Sequence, residues 1–186
     1  LLIDGKDINH YTLETIRSKI GVILQDVFLF ADTIFNNITL YNKDITIENV
    51  ENAARELEIH DFIKSLPGGY SFNVSERGAT LSAGQKQLIA FLRVLVNNPD
   101  ILILDEATSS IDSYSEELLK NATKKITKGK TSIIIAHRLS TIESADKIIY
   151  MENGKILESG NHKQLLSIPN GKFKKLYEEQ FVEELV

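Results

Sequence analysis

The stretch that most constrains this chain is Ile101 to Ala107, which reads Ile-Leu-Ile-Leu-Asp-Glu-Ala. Four consecutive apolar residues present no polar face, which predicts a strand buried on both sides of a parallel sheet. The run then stops on two carboxylates. Ligands of open parallel sheets bind just beyond the carboxyl ends of the strands, so Asp105 and Glu106 stand where chemistry is expected. An Asp-Glu pair at this point can also simply cap the following helix. Gly21 to Gln25 (Gly-Val-Ile-Leu-Gln) and Ser132 to His137 (Ser-Ile-Ile-Ile-Ala-His) repeat the pattern, each an apolar run ending on one polar residue. As three neighbouring parallel strands they would set Gln25, Asp105, Glu106 and His137 along one edge, a rim suited to a metal ion, a water and a phosphate.

A chain of 186 residues with 42% hydrophobic side chains suits one domain of ordinary size with a substantial core. Net charge is -5 and the basic residues are scattered, so nucleic acid is not expected as a partner. With no cysteine, a disulfide framework and a thiolate metal site are excluded, which suits a reducing compartment. No apolar run approaches the roughly 20 residues that span a bilayer, and no leader-like segment opens the sequence. Any membrane connection is therefore expected outside these residues. The first residue is Leu1, not Met, and Leu1 to Ile3 reads as a strand in mid-sheet, so the sequence is expected to be part of a longer chain.

Taken in order, Gly5 predicts a turn and Thr12 to Lys19 a short helix capped by Thr12, with Glu14 in its first turn. Asp26 to Thr33 is a linker carrying Phe28, Leu29 and Phe30, which must pack against either the domain itself or a partner. Ile47, Val50, Ala53, Ala54 and Leu57 follow the spacing of an amphipathic helix over 46–58, and a second helix over 61–66 ends at Pro67-Gly68-Gly69. Residues from about 34 to 97 thus read as helical, inserted between two strands. Leu81-Ser82-Ala83-Gly84-Gln85 opens a long helix to about Asn97, and Ser82 with Gln85 makes a capping box. That is a structural role in itself. A helix start with glycine in its first turn is also a ready anion site. Further on, helices are predicted over 114–126, 139–144, 162–166 and 172–185, a strand over 131–136, and a hairpin over 147–158 turning at Asn153-Gly154.

This constellation resembles the nucleotide-binding domain of ATP-binding cassette (ABC) transporters of the exporter type, over essentially the whole chain. Leu81 to Gln85 is similar to the family signature, Ile101 to Glu106 to the Walker B strand, and Ser109-Ser110-Ile111-Asp112 to the D-loop. Gln25 and His137 fall where the Q-loop and the switch histidine belong. Ser75-Glu76-Arg77-Gly78 resembles the exporter loop that touches the coupling helices of the transmembrane domain. The resemblance implies an α/β fold of P-loop NTPase type: a mostly parallel sheet flanked by helices, with an inserted α-helical subdomain. Residues 1–28 would form the first part of the ATPase core, 29–98 the helical subdomain, and 99–186 the rest of the core.

The resemblance also implies roles. Two such domains sandwich two ATP molecules head to tail, as a homo- or heterodimer, beside a transmembrane domain fused N-terminally, on the cytoplasmic side of the cell membrane. Asp105 would hold Mg²⁺ through water with help from Gln25, Glu106 would act as general base toward the attacking water, and His137 would contact the γ-phosphate. Ser82, Ala83, Gly84 and Gln85 would meet the nucleotide of the opposite domain, and Asp112 would lie at the dimer interface. Glu76 and Arg77 would couple to the transmembrane domain.

Two departures from the family pattern stand out. Ala83 occupies a position where the family usually has glycine. More importantly, no Gly-x-x-x-x-Gly-Lys-Ser/Thr occurs in the sequence. Without that loop several charge-assisted hydrogen bonds to the β- and γ-phosphates are missing, on the order of 6 kcal/mol or about four decades of affinity. The chain by itself is therefore expected neither to bind ATP usefully nor to hydrolyse it. A non-catalytic dimerisation or regulatory module is the alternative, against which the presence of Asp105, Glu106 and His137 argues. A cassette ATPase of DNA repair is disfavoured by the short helical insertion, which lacks heptads.

Overall fold

A computed structural model describes residues 1–75, 78–105, 113–136 and 139–184, which divide by their internal contacts into two units, Leu1–Ile135 and Ala136–Val186. The first unit opens on β1 (Leu2–Ile3), paired antiparallel with β2 (Lys6–Asp7) through a turn in which Asp4 and Gly5 have φ 49° and 77°. Two successive positive φ values give the primed turn that matches strand twist. This corrects the expectation of a mid-sheet strand at residues 1–3. Among the described residues β1 pairs with β2 alone, and Leu1 and Leu2 are exposed. The helix α1 (Leu13–Lys19) starts where predicted, with Thr12 Oγ1 accepting from the Thr15 amide at 3.2 Å, and runs directly into β3 (Ile20–Ile23).

The helical insertion follows as α2 (Ile34–Thr39), α3 (Ile47–Glu56), α4 (His60–Ser65) and α5 (Ala83–Asn97). Thr46 and Asn49 form a reciprocal cap on α3, and Val50 and Ala54 turn its apolar stripe into the core. That core is continuous: Ile34 and Ile38 of α2, Ile63 of α4 and Leu92 of α5 belong to the same buried cluster as Ile23, Leu102 and Leu104 of the sheet.

Beyond the insertion come β4 (Ile101–Asp105), α6 (Ser113–Thr127) and β5 (Thr131–Ile135). The sheet order is β3-β4-β5 with both pairs parallel, as the three apolar runs predicted, and β4 lies in the middle. Gly21 of β3 packs closely against side chains at and just after the end of α5. A Cβ there would lie 2.6 Å from Pro99 Cγ and 3.3 Å from Val94 Cγ1.

Burial on both sides holds for one face only. Leu102 and Leu104 are buried, but Ile101 and Ile103 are half-buried, and beside them Val22 (48% exposed), Ile133 (57%) and Ile135 (53%) are open. Val22, Ile103 and Ile133 are in register across the three strands, so they share one side of the sheet. The apolar runs therefore mark a sheet whose second face is uncovered among the described residues.

In the second unit, α7 (Leu139–Glu143) precedes β6 (Ile148–Glu152) and β7 (Lys155–Gly160), an antiparallel hairpin whose Asn153 and Gly154 have φ 51° and 73°, the primed turn that the Asn-Gly pair predicted. Asn161 and Gln164 cap α8 (His162–Leu166) reciprocally. The Glu158 carboxylate accepts from the Lys172 and Phe173 amides at 2.7 and 3.1 Å, which caps α9 (Lys172–Glu184). No helix among the described residues is long and apolar enough to cross a membrane.

Candidate functional site

Asp105 is the last residue of the central strand, and Gln25 stands two residues beyond the end of β3. Because β3 and β4 are parallel, with Ile23 opposite Leu104, both residues arrive at the same carboxyl edge. Strand alternation places Asp105 on the side of Ile101 and Ile103, the open face, where Ile135 lies opposite it. Its side chain is half-buried and that of Gln25 exposed. No hydrogen bond or ion pair among the described residues engages either one. This donor set fits Mg²⁺, which is usually held by one or two carboxylates and completes its octahedron with waters and substrate phosphates. No described cluster of three or more His, Cys, Asp or Glu makes an all-protein cage. Glu106, Asp112 and His137 lie outside the described residues, as do Glu76 and Arg77.

At the start of α5, Ser82 Oγ accepts from the Gln85 amide at 3.2 Å and Gln85 Oε1 from the Ser82 amide at 3.0 Å, the capping box read from the sequence. The box occupies the amides of Ser82 and Gln85, while those of Ala83 and Gly84 sit at the helix end, where intrahelical acceptors are lacking. No acidic residue stands in the first turn to oppose an anion. Ala83 is exposed and Gly84 buried. No hydrogen bond or ion pair among the described residues joins this helix start to Gln25 or Asp105.

Sequence reasoning missed the residues that fix the linker after Gln25. Leu29 is fully buried, whereas Phe28 (55%) and Phe30 (46%) are exposed and meet edge to face, ring centroids 5.1 Å apart. Asn37 of α2 is fully buried beneath them. Its Oδ1 accepts from the Phe30 amide at 2.8 Å, and its Nδ2 donates to the carbonyls of Phe30 and Thr33, each at 3.0 Å. Arg93 of α5 donates from Nε to the Asn37 carbonyl at 2.8 Å and from a terminal nitrogen to the Phe28 carbonyl at 3.3 Å. No carboxylate pairs with it among the described residues, and burial lowers its pKa from the ordinary arginine value. The sequence signal for both is a polar residue within an apolar helical stripe: Asn37 beside Ile38, and Arg93 between Leu92 and Val94.

A parallel sheet with a carboxylate at the rim of its central strand, an amide on the neighbouring strand and a helical insertion returning a capped helix start is a P-loop NTPase-type core. Residues 1–109 match the family model described as ABC transporter, and the chain belongs to that family. It is 50% identical over 180 residues to the alpha-hemolysin translocation ATP-binding protein HlyB of Escherichia coli O6:H1, covering 97% of this chain and 26% of HlyB. It is 49% identical over 166 residues to YgaD of Bacillus subtilis, whose name proposes a multidrug export ATP-binding/permease protein, covering 89% of this chain and 29% of YgaD. Among solved structures it resembles a bacterial Atm1-family ABC exporter with ATP bound, with a TM-score of 0.83 and 40% identity, over 100% of this chain and 32% of that one. The chain thus spans between 26% and 32% of the length of these relatives.

Proposed function

We propose that this chain is the C-terminal portion of the ATP-hydrolysing domain of an ABC exporter. The observation that carries the reading is the Asp105 carboxylate, without a protein partner among the described residues, at the carboxyl rim of the central strand and one strand from Gln25. Phosphoryl transfer asks for charge neutralisation and an aligned water rather than covalent help from the protein. Mg²⁺, when bound, supplies positive charge that offsets the phosphate oxygens. Asp105 would hold the ion, with the side-chain oxygen of Gln25 available at the same rim. Glu106 draws the proton from the attacking water, and His137 hydrogen-bonds the γ-phosphate. Ser82, Ala83, Gly84 and Gln85 offer a helix end to the nucleotide of a second such domain, and Asp112 lies at the interface between the two. Glu76 and Arg77 would couple to a transmembrane domain on the cytoplasmic side of the membrane; residues 1–28 and 99–186 make up the core and 29–98 the helical subdomain.

The phosphate-cradling loop is absent from the sequence, so these residues by themselves lack the groups that would hold the β- and γ-phosphates. Calorimetric titration of Mg-ATP tests this. The 186-residue chain is expected to bind nothing at micromolar nucleotide, and the parent to bind saturably in a way that Asp105→Asn weakens. Micromolar binding by the chain alone would overturn the division of roles. No binding by the parent would favour a non-catalytic dimerisation or regulatory module.

A further inference from the structure

We propose that Arg93 and Asn37 are positioning residues: together they latch the 28–33 segment to α5, so that a displacement of Phe28 and Phe30 is passed to the helix start at Ser82. The inference rests on the reading of Gln25 and of 82–85 as nucleotide-facing groups.

Asn37 grips the segment from α2, with its amide satisfied on both sides by Phe30 and Thr33 backbone atoms. Arg93 grips it from α5 through the Phe28 carbonyl, and the same guanidinium holds the Asn37 carbonyl. A half-buried cation whose side-chain hydrogen bonds among the described residues all go to backbone carbonyls is an uncommon arrangement, since an apolar side chain would fill the space without desolvating a charge. Its effect is to fix the backbone at 28 and at 37 relative to α5. The planar guanidinium reaches two carbonyls on different elements at set angles, which the point charge of lysine does not do.

A second line of contact runs parallel. Leu29 is buried against Gly78, where a Cβ would lie 3.2 Å from Leu29 Cδ1 and 3.0 Å from Lys86 Cε of α5. The segment thus bears on α5 directly through Arg93, and it touches Gly78, which in turn lies against Lys86 in the first turns of α5. Phe28 and Phe30 are left outward, three and five residues after Gln25.

The test uses the full-length parent protein with Arg93→Lys, Phe28→Ala and the double variant. Arg93→Lys is expected to lower kcat for ATP about tenfold with KM changed less than about twofold. The double variant should be no slower than the slower single one, because both substitutions break one path. Unchanged kcat per folded molecule with a lowered Tm would overturn the proposal, as would additive effects. If the wild-type parent hydrolyses no ATP, the functional reading fails, and the latch is judged by hydrogen exchange alone. There, Arg93→Lys should speed exchange of segments 26–37 and 80–86 together by about tenfold or more. Acceleration confined to the turn around residue 93, or none, would refute it.

Discussion

Replacing Asn37 tests whether the buried amide holds the linker. In Asn37→Ala the Phe30 and Thr33 carbonyls keep other partners, the Asp32 amide at 2.8 Å and the Asn37 amide at 3.0 Å. The Phe30 N–H loses its acceptor and is orphaned, which costs about 1–3 kcal/mol, and loss of the Nδ2 bonds adds about 1 kcal/mol. The expected destabilisation is thus about 2–4 kcal/mol. Asn37→Asp separates this from a generic core defect. It keeps the acceptor for Phe30 but sets a carboxyl against two carbonyls in a fully buried site, so its folded-state pKa must rise. A raised acid pKa means that the penalty is small below about pH 3.9 and grows by about 1.4 kcal/mol for each pH unit between there and the folded value. Urea unfolding followed by circular dichroism, against wild type at each pH, measures both. A loss under about 1 kcal/mol for Asn37→Ala, or an Asn37→Asp penalty flat from about pH 3 to 7, would refute the assignment.

Three further outcomes are expected. Gly21→Ala forces a Cβ to 2.6 Å from Pro99 Cγ and should cost about 1–3 kcal/mol in urea unfolding; a neutral result would mean that the backbone after α5 yields. Ala83→Gly, at the exposed first position of α5, should lower stability by up to about 1 kcal/mol while leaving the parent's ATPase equal or faster, and a slower enzyme would show that the methyl helps rather than hinders the approach to phosphate. Hydrogen bonds from Tyr41, Asn36 and the Thr33 amide hold the Asp32 carboxyl below its ordinary value. Their stabilisation is therefore present above the usual aspartate range and lost as pH falls through the folded value. A carbon NMR titration of Asp32 with a midpoint at or above about 3.9 would contradict this.

Local chemistry was the legible part of this chain. Thr12, Ser82 with Gln85, and Asn153-Gly154 act within three residues of themselves, and each does what its type and spacing predict. The three apolar runs predicted the parallel sheet, and with it the shared edge of Gln25 and Asp105. Coverage of the sheet was not legible, because Val22, Ile133 and Ile135 read as buried whether or not these residues supply the cover. Gly5 read correctly as a turn, but the two-residue strand Lys6–Asp7 that pairs back onto Leu2–Ile3 is too short to carry a pattern of its own. Arg93 escaped notice for a different reason: its partners are backbone carbonyls 56 and 65 residues away, and a carbonyl has no signature in sequence. The six residues of α2 are too few for periodicity to delimit them.

The most direct test of the central claim is steady-state ATP hydrolysis by the full-length parent, wild type against Glu106→Gln. Loss of a general base is expected to lower kcat by about a hundredfold or more with nucleotide binding retained. Hydrolysis unaffected by Glu106→Gln, or a parent that binds no nucleotide, would contradict the account.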